Sequence, residues 1–442
     1  MAAGMKKVLG RVGLIILILV IIVLGVRAIL NYAIGRNLER CLSEARARGL
    51  LIEASSLLPP CPDLENAALL WKTAESLLVF EPEDKQLLPG VSDISDWKEF
   101  SPEERMKLAA TAEKNRKALD LMLEAAGRRC FQYAITKDPV PIQEMPNAVL
   151  LMQATRLLAA DSIFKAESGQ LDQAVEQMVK GLKFCRLYAD SPSVMIYLIA
   201  MANTRLLAHN LNRIVSGKPL AEETARHLME LLDPEWWRTT MAMVFKREFS
   251  GFLVEYYRHV LAGKSLGGVN EKPLERIYFW LTRPLLKAEL IWVCRRQAGT
   301  MEGITEPFFR NEKARAGLLQ DPKIPAPYRM ARLLLPHLYT VILKEATLEA
   351  QLEAARTGLA GKLFRQMNGR YPAALSELVP GFLAKEPVDP FNGQPLVYKA
   401  TNDGFIVYSL GSNLKDDGGR MSMMTQAVME KDDDWAWRDN WH

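Results

Sequence analysis

Asn147–Glu167 (NAVLLMQATRLLAADSIFKAE), Ser168–Gln170 (SGQ) and Leu171–Asp190 (LDQAVEQMVKGLKFCRLYAD) form the stretch whose spacing decides the fold class. Apolar residues return every three or four positions in both long runs, the period that gathers them on one face of an α-helix. Ser-Gly-Gln between the runs is turn chemistry, so a helical hairpin is expected. Ala159, Ala160, Ala174 and Gly181 are small residues where the two helices would approach closely.

The same period continues outward on both sides. Upstream, Pro59-Pro60-Cys61-Pro62 breaks the chain before a segment starting near Asn66. Ser101-Pro102-Glu103-Glu104 combines an N-cap, a first-turn proline and a capping-box Glu, which predicts a helix running to about Ala126. Downstream, helices are expected over 194–215, 220–232, 235–262, 273–297 and 328–367, the last kinked or split at Pro336. The hairpin is similar to one tetratricopeptide-type unit, but no recurrence at about 34 residues follows, so irregular, solenoid-like stacking is expected. Trp236, Trp237, Phe245, Phe252, Tyr256 and Tyr257, then Tyr278, Phe279 and Trp280, stand at helical spacing. That spacing predicts core side chains, with a peptide or lipid groove as the competing reading.

From Val12 to Val26 the chain carries no charge and is almost only Leu, Ile and Val, bounded by Arg11 and Arg27. Long Arg side chains snorkel, so the run can extend to a full bilayer crossing. The residues after it, Arg27-Ala28-Ile29-Leu30-Asn31-Tyr32-Ala33, lack a clean small-x-small cleavage site; an uncleaved single-pass transmembrane anchor is expected rather than a signal peptide. Lys6, Lys7 and Arg11 are matched by Arg27, Arg36 and Arg40, which leaves the positive-inside count undecided. The short tail is expected in the cytoplasm and the bulk of the chain outside the cytoplasmic membrane. Arg36, Arg40, Arg46 and Arg48, offset by Glu39 and Glu44, read as a solvated helix face near lipid headgroups.

With 442 residues, 49% hydrophobic and 24% charged, the chain can bury a sizeable core in two or more packing units. Net charge is +4 from 56 basic and 52 acidic residues, too weak a field to point to nucleic acid. The five cysteines, Cys41, Cys61, Cys130, Cys185 and Cys294, form no C-x-x-C, which disfavours metal clusters and thioredoxin-like chemistry. Cys185 and Cys294 read as buried thiols, and outside the cytoplasm a Cys41–Cys61 disulfide is open to the chain. His209, His227, His259 and His337 stand isolated in helical segments, without H-E-x-x-H. Gly263-Lys264-Ser265 has Arg258 where a phosphate loop needs its first glycine, and there is no G-x-S-x-G. No catalytic constellation is visible, so no enzymatic activity is expected.

The last part of the chain changes character. Gly369-Arg370-Tyr371-Pro372 is followed by Asp389-Pro390-Phe391-Asn392-Gly393 and by Gly404-Phe405-Ile406-Val407-Tyr408-Ser409-Leu410-Gly411-Ser412-Asn413. Asp-Pro and Asn-Gly are turn chemistry; Leu396-Val397-Tyr398 and Phe405–Tyr408 are β-prone runs between breakers. Trp435 and Trp437, alternating with Ala436 and Arg438, suit a last strand closing a small sheet, its acids reaching back toward the loop, with a Trp-rich contact for a partner or glycan as the competing reading. Asn413, Asp416, Asp417 and the Asp432–Asp434 run offer hard oxygen ligands, and Gly418 and Gly419 let the backbone fold around an ion.

These motifs resemble the C-terminal half of the major pseudopilin of type II secretion, over roughly Glu349 to Gly419, about a sixth of the chain. In that family a helix leads into G-x-Y-P, a D-P-W/F-G-x-P segment and a Y-S-L-G-A-D loop that binds calcium. The resemblance implies Ca2+ held by Leu410, Asn413 and some of Asp416, Asp417, Asp433 and Asp434. Ile18 stands where the family's filament-ordering Glu would fall, so filament assembly is not implied.

The expected protein is mainly α, with a cytoplasmic tail and transmembrane anchor (1–35), a helical domain (36–327) and a long helix leading into a pseudopilin-like α+β module (328–442). Its expected role is a membrane-anchored, extracytoplasmic, periplasmic scaffold or adaptor with partners in the cell envelope. The alternatives are a cell-envelope enzyme whose acids only folding brings together, or a component of the secretion apparatus.

Overall fold

The Asn147–Asp190 hairpin forms as its spacing requires. In a computed structural model, which describes residues 2–50, 60–92, 97, 100–133, 135–136, 142–143, 145–262, 273–301, 304–311, 324–334, 338–420 and 434–440, helix α6 spans Ala148–Glu167 and α7 spans Leu171–Ala189. The Asn147 side chain accepts hydrogen bonds from the Val149 and Leu150 amides at 3.0 and 3.2 Å, satisfying donors that the first turn leaves free. Gly169 turns the chain at φ +84°. A Cβ on Gly181 would stand 2.9 Å from Leu158 Cδ2, so the close approach of the pair depends on glycine there. The next helix, α8 (Val194–Val215), packs on both.

Upstream are α1 (Ala2–Ala47), α2 (Ala67–Leu77), α3 (Pro82–Leu87), α4 (Pro102–Lys114) and α5 (Arg116–Ala125), then a two-residue hairpin, β1 (Ile135–Thr136) with β2 (Ile142–Gln143). Ser101 and Glu104 cap α4 reciprocally, as their spacing predicts. The helix expected to run to Ala126 is instead broken at Asn115. The cause is tertiary: the buried Asn115 amide accepts from Val79 N at 2.8 Å and donates to Val79 O at 3.0 Å, tying α4 and α5 to the end of α2. The break presents Arg116 to Asp161 inside α6, at 2.7 and 2.8 Å.

Cys61 pairs with Cys130, not with Cys41. Their Cα atoms are 6.0 Å apart because Asn66 bridges to the same segment: Ala67 N donates to Cys130 O at 2.8 Å, and the Asn66 side chain binds the backbone of Gln132 on both sides. Cys41, Cys185 and Cys294 are buried free thiols.

Downstream lie α9 (Glu222–Leu231), α10 (Pro234–Arg247), a π-helical segment (Glu248–Val254), α11 (Glu255–Leu261), α12 (Pro273–Met301), α13 (Arg329–Leu334) and α14 (Leu338–Asn368). The stretch expected as one helix over 235–262 is therefore interrupted. The widened turn turns Phe249, Leu253 and Val254 into a small core shared with Leu38, Cys41 and Leu42 of α1 and with Leu290, Ile291 and Cys294 of α12. Helices α13 and α14 flank Pro336, which itself lies outside the described residues, as do His337 and Gly263-Lys264-Ser265. Of the aromatic run, Trp237, Phe245 and Tyr257 are core; Trp280 is 41% exposed. The side chains of Phe252, Tyr278 and Phe279 lie outside the described residues.

Helix α14 is the axis of the fold. From Val341 to Phe364 nearly every residue is buried, because α8, α9 and α10 pack on it from one side and a three-stranded antiparallel sheet from the other. The sheet runs β3 (Val397–Ala400), β4 (Phe405–Ser409), β5 (Trp435–Asp439), with β4 central. Small residues let it lie flush: a Cβ on Gly358 would fall 2.0 Å from Trp437 Cδ1, and one on Gly361 3.1 Å from Phe405 Cζ. The outer edge of β5 is closed by Asn212 of α8, which donates to Arg438 O at 2.6 Å and accepts from Arg438 N at 3.1 Å. One apolar core extends from Ala67 through α14 to Trp437.

Asp439, at the end of β5, ties three elements together. It takes Lys362 Nζ of α14 at 2.7 Å, the Tyr371 hydroxyl at 2.8 Å and Gly217 N of the α8–α9 connection at 2.8 Å. Lys362 and Asp439 are 5% and 4% exposed, so losing one partner strands the other charge out of water. Asp439→Ala is expected to lower the unfolding free energy by about 3–5 kcal/mol in chemical denaturation. Gly358→Ala is expected to destabilise as well, by displacing Trp437.

Candidate functional site

The acidic loop predicted from sequence is partly assembled. After β4 the chain turns through Gly411 (φ +65°), Leu414 (φ +56°), Gly418 (φ +74°) and Gly419 (φ +76°). Asp416 accepts from the Tyr408 hydroxyl at 2.7 Å and Gly418 N at 2.9 Å, with Lys399 3.7 Å away. Those partners hold its carboxyl below the usual carboxylate range, the Tyr408 bond first. Asn413 Nδ2 donates to Asp417 at 2.9 Å, while Asn413 Oδ1 accepts from Lys415 N at 2.9 Å.

Asp434 reaches back to this loop from the start of β5, accepting from Gly419 N at 2.7 Å. Its other oxygen, Oδ1, is buried without a partner. Burial first, then the nearby charges of Asp417 and Asp416, push its carboxyl up to about 6. Asp433 lies outside the described residues. Among the described residues, no three His, Cys, Asp or Glu side chains come close enough to share a metal ion.

Asp389 has a larger part than the turn role its Asp-Pro dipeptide suggests. Fully buried, it accepts from Phe391 N at 2.9 Å and from Leu410 N at 2.8 Å, so one carboxylate fastens the Asp389–Gly393 turn to the start of the loop. The motif residues of this region are thereby joined into one unit: Tyr371 through Asp439, Asp389 through Leu410, and Asp434 through Gly419.

A second group of acids was not marked by any motif. Glu345, Glu349 and Glu353 recur every four residues along the buried face of α14. Arg238 of α10 donates to Glu349 at 2.5 Å, and Arg356 lies 3.2 Å from Glu353. Glu345 Oε1 and Glu349 Oε2 are buried without partners. Burial, joined by the Glu349 charge, raises the Glu345 carboxyl well above its ordinary value. Burial raises the Glu349 carboxyl too, against the opposing pull of Arg238, and both groups are packed among helices. Their only sequence signal is the four-residue spacing, which equally describes an exposed helix face.

A cavity of about 370 Å³ lies near the disulfide, lined by Arg128, Arg129, Lys183, Arg186, Phe131 and Trp236 among others. Arg128 and Arg129 are paired to Glu124 and Glu65, and Arg186 is stacked 4.4 Å over Trp236. Its positive lining is therefore largely engaged in structure. Of the histidines, His209 is buried and His227 lies 3.6 Å from Glu230.

The buried acids give stability a pH dependence of definite sign. A carboxyl whose folded-state pKa is raised above 4.5 stabilises fully below that value, and the contribution is lost as pH rises. Glu345→Met, similar in volume and uncharged, is expected to raise the melting temperature at about pH 9 and to have a much smaller effect at about pH 5. No protein family, curated protein or solved structure matches this chain.

Proposed function

We propose that this protein is a membrane-mounted scaffold or adaptor whose folded part stands outside the cytoplasm and presents a pseudopilin-like end that takes up Ca2+. The observation that carries the reading is the continuity of α1. The helix is long and apolar enough to cross a membrane, with mean hydropathy 3.1 in its apolar part. Val12 to Val26 are bare, while Leu38, Cys41, Leu42 and Ala45 of the same unbroken helix are buried against the domain. A flexible tether would let the domain wander; a helix that leaves lipid and enters the core fixes its height and orientation. That is the behaviour of a mount.

Two observations support the remaining parts. The Cys61–Cys130 disulfide closes a separation of 69 residues, which favours the folded state by about 4 kcal/mol on chain entropy, and such bonds persist in oxidising compartments. The partnerless, buried Asp434 Oδ1 beside Asp416 and Asp417 offers an oxygen that a cation would satisfy. No three described acids converge as they stand, so uptake of the ion would draw Asp416 and Asp417 of the loop toward Asp434, with Asp433, Asn413 and Leu410 as the further ligands the resemblance implies; the ion would cross-link the loop to β5.

Orientation is tested in a bacterial host. Protease added to spheroplasts is expected to digest the folded part, and reduction to retard the protein in denaturing gels unless Cys130→Ser is present. Protection from protease together with a free Cys61 thiol would put the bulk of the chain in the cytoplasm and sink the reading. The calcium proposal is tested separately on the full chain in detergent. Millimolar Ca2+ is expected to raise the melting temperature, and Asp416→Ala with Asp417→Ala to abolish the rise; an equal rise in the variant counts against this loop.

A further inference from the structure

Helix α12 meets the anchor at an unusual bond. Pro284 lies inside α12 and has no N–H, so the carbonyl of Trp280, four residues earlier, has no partner within its own helix. Arg27, which ends the charge-free run of α1, donates to that carbonyl and stacks its guanidinium 3.4 Å from the centre of the Trp280 ring. Further along, Lys287 Nζ donates to Asn31 O at 3.2 Å, and Cys41 Sγ lies 3.9 Å from Ile291 O. Residue numbers rise together on both helices, so they run parallel. The residues of α12 before Trp280 therefore descend beside the apolar span, by about 10 Å from Trp280 to Pro273 at the helical rise of 1.5 Å per residue.

An exposed apolar stripe begins on this descending part at Ile277 and continues past Trp280. Ile277, Trp280, Leu281 and Leu285 are 54%, 41%, 50% and 37% exposed, at spacings that fall on one helix face. Ile29, Leu30 and Tyr32 of α1, just past Arg27, are bare as well. The stripe is thus continuous with the bare surface of the anchor. Arg283 and Lys287 follow Trp280 at the height where headgroups would begin, and a Trp beside an Arg suits the boundary between water and acyl chains.

We infer that the start of α12, through Leu285, lies in the lipid interface beside the anchor, with the Ile277–Trp280–Leu281–Leu285 face covered by bilayer lipid. This rests on the membrane reading of α1 and extends it. The chain would touch the membrane through two parallel helices clamped at Arg27, so the domain could neither rotate about the anchor nor lift from the surface. The Arg27 guanidinium, near the end of a hydrocarbon span, would find a main-chain carbonyl for Nη2 and an aromatic face in place of water, while its Nε stays buried without a partner.

The test uses the full chain in nanodiscs with single introduced cysteines carrying an environment-sensitive fluorophore. Its native free thiols are buried and its other two cysteines are bonded. Leu281→Cys probes the stripe, Leu19→Cys the span, and Met106→Cys, 73% exposed on α4, the water-facing control. Lipids bearing a nitroxide on the upper acyl chain are expected to quench the label at 281, those bearing it deeper the label at 19, and neither the label at 106. Quenching at 19 without quenching at 281 overturns the inference and leaves the anchor standing. No quenching at 19 removes the anchor and the inference with it. A label at 281 shielded from aqueous iodide yet untouched by lipid nitroxide would mean that protein, such as a second copy, covers the stripe, and also overturns the inference.

Discussion

Between Val341 and Phe364 helix α14 has no free face, and the rest of the structure follows from that. An ordinary surface helix buries one stripe and offers water its charges. Here three helices and a sheet close around Val341–Phe364, so Glu345, Glu349, Glu353 and Lys362 lie inside with everything else. Each must be neutralised, paired or protonated, because an unpaired buried charge costs several kcal/mol. Arg238 answers Glu349, Arg356 answers Glu353, Asp439 answers Lys362, and Glu345 is held toward its neutral form by burial. These partners come from α10, from α14 itself and from the last strand, so the charges of one helix recruit distant parts of the chain.

The same logic governs the junction of α1 with α12. Arg27 stands at the end of an apolar run, where an unsatisfied guanidinium would be unfavourable near lipid. Pro284 creates the matching acceptor by failing to donate. A proline in a helix interior ordinarily weakens it; here the carbonyl it leaves open is spent on joining two helices. The π-helical turn at Glu248–Val254 completes the joint by turning Phe249 and Leu253 toward α1 and α12. Helix α1 is thus packed into the domain through one compact cluster.

Much of this architecture was legible in the sequence, and the limits have physical causes. Helical periodicity, the Ser101 cap, the close-approach glycine at 181 and the alternating tail strand are local signals, and local signals survive folding. The break at Asn115 depends on Val79, 36 residues away, and no spacing rule reports such a partner. Cys61 had the nearer Cys41 available, but Cys41 is turned into the α1–α12 joint, while Asn66 brings Cys130 close. The candidate loop was visible because Gly and Asp are informative residue types. The buried acids were invisible, because Glu at four-residue spacing is also the commonest pattern of a solvated helix.

The buried pairs also limit which arrangements the chain can adopt. The stripe Ala346, Ala350, Ala354 and Gly358 sets part of the register, since of the four only Gly358 admits Trp437, and the buried pairs reinforce it. Glu349 and Lys362 stand 13 positions apart and face partners on opposite sides, α10 and β5. Sliding α14 by one residue turns both side chains by about 100° and separates both pairs together. The polar seam therefore contributes little net stability but penalises the alternatives. It holds α14 in the one register at which Gly358 meets Trp437 and Gly361 meets Phe405, so that the sheet and its acidic loop are fixed relative to the surrounding helices.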